Sequence, residues 1–135
     1  MRAAHEYWLS KRQGRLMPAR ADIDPVEIPT LLPYVVLIDV VEPLNFRYRL
    51  IGTEARSIMR RNYTGLLFSE IDGKDESSVL WHGCEAVVRG KQPLSLSPPY
   101  VGTETLKKCE NVLLPLSDNR VDVTMILKVI SFERG

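Results

Sequence analysis

The chain has 135 residues, 26% of them charged, and a formal net charge of +1. That length suits one domain with a core of its own, and the charge balance argues against a nucleic-acid binder, which usually carries a strong basic excess. No apolar run approaches the roughly 20 residues that span a bilayer; the N-terminal MRAAHEYWLSKRQGR has no secretory core; and two cysteines, Cys84 and Cys109, make no disulfide framework. The expected setting is the cytoplasm, with reduced thiols and no membrane contact.

In chain order, residues 5–12 predict a short helix carrying Tyr7, Trp8 and Leu9, ended by Gly14. Residues 17–24 read as a connector. Asp24-Pro25 is a helix start, because Asp caps free amides and Pro at the first helical position loses no hydrogen bond. Pro29 and Pro33 keep that helix to little more than a turn. Residues 34–41, YVVLIDVV, are β-branched and nearly all apolar, as in a strand covered on both sides. A turn at residues 42–45 leads into the strand 46–51, with Phe46, Tyr48 and Leu50 on one face. At Gly52-Thr53 the apolar period changes from 2 to 3.6, and a helix is predicted over 54–61 with Ala55, Ile58 and Met59 inward. Residues 66–71 predict a helical turn.

The strongest helical pattern covers 75–89. Val79, Trp81, Gly83, Cys84, Val87 and Val88 all fall within about 100° of Leu80 on the helical wheel, and Gly90 is the expected stop. Strands are predicted at 94–101, with Pro98-Pro99 marking an edge or bulge, and at 107–116 and 121–132, joined by a Ser117-Asp118-Asn119-Arg120 turn. In the last strand Val121, Val123, Met125, Leu127 and Val129 form the expected inward face. The other face is mixed, with Asp122, Thr124 and Lys128 among Ile126, Ile130 and Phe132. The order predicts an α+β domain: a five-stranded antiparallel sheet with helices on one face.

This order resembles the PAS fold. The join carries much of the likeness: Gly52-Thr53-Glu54-Ala55-Arg56, then Gly65-Leu66-Leu67-Phe68-Ser69-Glu70-Ile71. More closely, the chain is similar to a bacterial family of small, often stand-alone PAS-like proteins. The matching residues are Tyr7-Trp8, Gly14-Arg15, Pro18, Arg20, Asp22, Asp24-Pro25, Ile28-Pro29 and Leu31-Leu32-Pro33, followed by Tyr48 to Thr53 and Leu114 to Ser117. The resemblance implies an N-terminal helical extension at 1–33 and a PAS-like sensory domain at 34–135. It also implies that the period switch at Gly52 hands an inner strand over to helices covering a concave sheet face.

PAS domains of other families hold haem, flavin or small organic acids, and each needs particular residues. His82 lies on the long helix, but about 200° from Leu80, beside Ser78, Glu85 and Arg89 on the polar side, so it points away from the interior. His5 is in a terminal helix. Neither Cys84 nor Cys109 sits in a flavin-reactive motif, and these cysteines and histidines lack metal-ligand spacing. No cofactor and no metal are expected. Arg47, Arg49, Arg56, Arg60 and Arg61 form a basic group that fits either carboxylate or phosphate recognition or a solvated face. Asp22, Asp24 and Asp39 have no acid/base spacing. Tyr48, Met59, Trp81, Cys84, Tyr100 and Met125 are the candidate pocket lining, being aromatic, methionine or small apolar residues of the kind that pockets and cores share.

The reading is a non-enzymatic sensory or interaction module that binds a small molecule or a signalling protein partner. Two alternatives stay open. One is a structural dimerisation module with a filled core. The other is a small cavity enzyme of cone-shaped α+β fold, which needs an inward acid/base group where the inward sets here are apolar. A homodimer is expected through Tyr7, Trp8 and Leu9 against Ile126, Ile130 and Phe132, whose large side chains need cover.

Overall fold

The computed structural model describes residues 2–41, 44–71, 78–97 and 106–134. Three α-helices are described: α1 (Arg2–Lys11), α2 (Thr53–Ser57) and α3 (Val79–Gly90). The strands are β1 (Val35–Val41), β2 (Asn45–Ile51), β3 (Leu94–Leu96), β4 (Leu106–Leu116) and β5 (Met125–Arg134). They form one five-stranded sheet in the order β2-β1-β5-β4-β3, with every described pairing antiparallel. The predicted α+β, PAS-like architecture is therefore the one observed.

The N-terminal extension is a stack of short turns tied by side chains. Asp24 caps a 3-10 turn at Pro25–Glu27 by accepting from the Val26 N–H at 3.0 Å. The Tyr7 hydroxyl accepts from the Asp24 N–H at 2.9 Å and donates to Glu27 Oε1 at 2.8 Å. Lys11 pairs with the same carboxylate. Arg15 Nη2 and the Ala19 N–H both donate to Asp22 Oδ2, at 2.6 and 2.8 Å. The Ser117 N–H donates to the Pro18 carbonyl, tying the extension to the end of β4.

Strand register defines the two faces of the sheet, because directly paired residues share a face. Val35, Leu37, Val112, Leu114, Met125, Leu127 and Val129 lie on one. Val36, Ile38, Asn111, Leu113, Ile126, Lys128 and Ile130 lie on the other. Arg2 and His5 line a shallow depression with Ser95 and Val112, and Ala3 and Ala4 line a second with Val129 and Ser131. The extension therefore covers the first face. Helix α3 covers the second: a Cβ on Gly83 would meet the Leu96 and Leu113 side chains at 2.6 and 3.1 Å. Both faces are buried, which is why β1 and β5 read as nearly continuous apolar runs.

Several sequence expectations are corrected. The face with Met125, Leu127 and Val129 lies under the extension, and Ile126 and Ile130 lie on the α3 side, so the two faces of β5 are exchanged; Val123 is buried ahead of the strand. The strand starts at Met125 and not at Val121, which is 60% exposed. Asn119 Oδ1 accepts from both the Val121 and Asp122 N–H groups, so those residues belong to a turn. Helix α2 ends at Ser57 and not at Arg61, although Ile58 and Met59 are buried beyond it. Helix α3 is capped by Ser78, whose Oγ accepts from the Trp81 N–H at 3.2 Å. It ends through Lys91 in the left-handed region (φ 56°), with Gly90 still helical. The predicted helix at 75–77 and strand residues 98–101 lie outside the described residues.

The change of period at Gly52 has a steric cause. A Cβ there would sit 2.5 Å from the Pro33 carbonyl oxygen and 2.6 Å from that of Leu32. Its N–H donates to Val35 O at 2.7 Å, and its own carbonyl accepts from the Arg56 N–H at 2.8 Å. The chain turns from strand to helix by pressing its backbone against the entry to β1, which only glycine permits. After α2, the backbone at Gly65 and Leu66 pairs with Tyr48 on β2, and Gly65 takes φ 90° to do so.

Candidate ligand-binding interior

The space between the sheet and α3 has two chemically different ends. The β2 end is aromatic. Phe46 and Phe68 rings lie 5.5 Å apart, Phe68 and Trp81 5.9 Å, and Tyr48 and Phe68 5.0 Å. Trp81 Nε1 donates to the Leu44 carbonyl at 3.3 Å, anchoring α3 over this end. Burial holds the Tyr48 phenol well above its ordinary pKa, and negative charge at Cys84 and Tyr63 would raise it further. Tyr48 is therefore a neutral hydroxyl in the interior, and Cys84 of α3 is its neighbour.

The β4–β5 end carries polar groups. Lys128 and Asn111 are each only 3% exposed. Lys128 pairs with Leu113 across the strands and Asn111 with Ile130, which makes Lys128 and Asn111 diagonal neighbours on the α3 side. Leu96 of β3 stands opposite Asn111. Cys109 lies next on the same face, opposite Phe132. Burial pushes its thiol up, and the nearby Lys128 charge works the other way. The carboxamide oxygen of Asn111 is buried with no hydrogen-bond partner. Such an acceptor costs free energy until a donor reaches it.

Of the residues singled out in the sequence, the structure brings Tyr48, Trp81 and Cys84 into this interior. Met59 is buried just beyond α2. Met125 lies on the opposite sheet face, and Tyr100 is outside the described residues. Trp8 is buried against its own sheet, donating from Nε1 to the Pro115 carbonyl at 2.8 Å. Tyr7 is half-buried and Leu9 is exposed. Ile126 and Ile130 are enclosed on the α3 side, and Phe132 is half-buried beside the Tyr34 ring at 6.0 Å. His82 is exposed, as its place on the helical wheel requires.

Asn111 was missed by the sequence reading, and Lys128 was noted only as part of a mixed face. The available signal was alternation: Lys128 shares its parity with Ile126 and Ile130, the large apolar groups that most needed cover. Among the described residues, no group of three His, Cys, Asp or Glu side chains is placed to hold a metal ion. Among them, too, no helix is long and apolar enough to cross a membrane.

Comparison with protein families finds the PAS domain, matched over residues 1–130 and so including the N-terminal extension. Comparison with curated proteins and with solved structures finds no match. PAS domains are in general sensory or signalling modules, and the sheet order, the strand-to-helix switch at Gly52 and the helix-covered face all fit one. With nearly its whole length matched, the chain belongs to the PAS domain family.

Proposed function

We propose that this PAS domain is a non-enzymatic sensor of bacterial signal transduction, holding a small molecule between the sheet and α3. The observation that supports the reading is the carboxamide oxygen of Asn111, buried on the α3-covered face with no hydrogen-bond partner. Polar groups at such positions cost stability unless something hydrogen-bonds them, and apolar residues of similar size pack there without that cost. A change in occupancy would act on α3 and on the strands that also carry the N-terminal extension. The output is contact with a separate cytoplasmic signalling protein.

Native mass spectrometry of the intact chain tests the reading. A small molecule bound in stoichiometric amount, and released when the chain unfolds, is the expected result. A bare chain that also fails to bind any member of a broad metabolite set would defeat it.

A second reading is favoured by the aromatic packing of Phe46, Tyr48, Phe68 and Trp81, which occupies the β2 end of the interior. On that reading the core is filled and the module works by association, as a homodimer. Sedimentation separates the two: a bare but dimeric chain supports association, and a monomer carrying a ligand supports sensing.

A further inference from the structure

We infer that the chain carries a further small-molecule site, between the N-terminal extension and β5, and that it takes a neutral aromatic ring bearing an N–H donor. The site lies apart from the α3-covered interior and does not rest on the sensory reading. The depression beside Ala3 and Ala4 encloses about 360 Å³. Small-molecule pockets run from roughly 300 to 1,000 Å³. The fold itself opens the space. β1 pairs with β5 only as far as Val35, opposite Val129, while β5 runs on to Arg134. The 3-10 turn at Leu32–Tyr34 takes the place of further pairing. Helix α1 meets the gap with two alanines, whose methyl groups are too small to fill it.

The backbone sets the ligand's donor. Val35 O accepts from the Gly52 N–H on the β2 side. Backbone groups alternate along a strand, so residues 34 and 36 turn theirs toward β5. Lys128 stands opposite Val36, and the register continued by two residues sets Ile130 opposite Tyr34. The Tyr34 N–H would meet the Ile130 carbonyl in a longer ladder, but it donates to Leu31 O at 2.8 Å. Ile130 lines the cleft, and its side chain belongs to the α3 face, so it presents this carbonyl. A ligand that displaces water from the carbonyl must bring a donor or strand a buried acceptor. No charged side chain among the described residues lines the cleft, so a charged ring would shed its water without a counter-charge. Val129 and the Tyr34 and Phe132 rings, 6.0 Å apart, suit a flat apolar body.

The test uses two isomeric probes, skatole and N-methylindole, which differ in whether the ring nitrogen keeps its hydrogen. Both are titrated by calorimetry into the full chain. Skatole is expected to bind about fivefold or more tightly than its isomer, the scale of one hydrogen bond. N-methylindole binding equally well or better would overturn the inference, and so would a chain that binds neither. Ser131→Phe and Ala3→Leu fill the cleft from opposite walls at exposed positions. Each should weaken skatole binding by roughly tenfold or more. With two variants, one that fails to fold leaves the other readable. Parent-like affinity in a folded variant would overturn the site. Nuclear magnetic resonance of the labelled chain then locates the probe, and the Ile130 carbonyl carbon is expected to shift. Shifts confined to Tyr48, Trp81 and Cys84 would place skatole in the α3-covered interior, overturning this site while supporting the sensory reading.

Discussion

The indole nitrogen of Trp8 donates to the backbone carbonyl of Pro115, at 2.8 Å and 107 residues along the chain. The pairing has a local cause. Strand β3 reaches only as far as Leu94, opposite Leu113, so β4 has no described strand partner on that side at Pro115. Proline has no N–H to leave unpaired there, and Trp8 takes the carbonyl. The indole is itself buried, so one side chain closes a sheet edge and pins α1. Trp8→Ala is expected to lose about 3–5 kcal/mol of stability, as large aromatic truncations do. Trp8→Phe keeps most of the packing but strands the carbonyl, and should lose about 1–3 kcal/mol. Urea unfolding of the three proteins checks the order, and an unaffected phenylalanine variant would show that the hydrogen bond contributes nothing.

Gly52→Ala should destabilise the domain although its φ of −64° is open to any residue. The new methyl would meet backbone oxygens of Leu32 and Pro33, which cannot swing aside like a side-chain tip. Overpacking of this kind costs about 1–3 kcal/mol. A denaturation midpoint equal to the parent's would mean that the 32–33 segment yields freely.

Acid should loosen the N-terminal extension first. The Ala19 N–H and the Arg15 guanidinium hold the Asp22 carboxyl below its ordinary range, and Lys11 and Tyr7 do the same for Glu27. A carboxyl whose folded pKa lies below its unfolded one stabilises the fold above the unfolded value. That contribution is lost as pH falls through the folded value, so the window lies below about pH 4. Melting temperature followed from pH 6 downward should drop less steeply in Asp22→Asn than in the parent. Parallel curves would show that Asp22 carries none of the acid dependence.

Leu127→Asp should abolish folding, since it places an unpaired carboxylate on the sheet face beneath the extension. Circular dichroism of the variant gives the answer directly; a cooperative melt near the parent's would contradict the burial of that face.

His82→Ala should change stability by no more than about 0.5 kcal/mol, because the imidazole is exposed on α3. A larger loss in thermal unfolding would mean that the histidine makes a contact its exposure does not suggest.

The kinds of element and their order were legible in the residues. Alternation marked β2 and β5, the Leu80 wheel marked α3, and Asp24-Pro25 marked a capped turn, because each depends on neighbours within a few positions. Boundaries were less legible. The apolar spacing of Ala55, Ile58 and Met59 suits a longer helix, yet α2 stops at Ser57 and tertiary packing buries the last two. Leu50 reads as a partner of Tyr48. One extra residue, Arg49, shifts the register between Leu37 and Ile38, which puts Leu50 on the face opposite Tyr48 and leaves it 41% exposed.

The polar end of the interior was decided by tertiary structure alone. Alternation separates the two faces of β5 but does not say which of them meets α3, and here both are apolar because both are covered. Residues close in sequence determine local shape by short-range sterics and hydrogen bonding. Whether Lys128 and Asn111 face solvent or α3 depends on the register of β4 with β5 and on where α3 and the N-terminal extension dock. Those long-range contacts leave no periodic trace in the residues themselves.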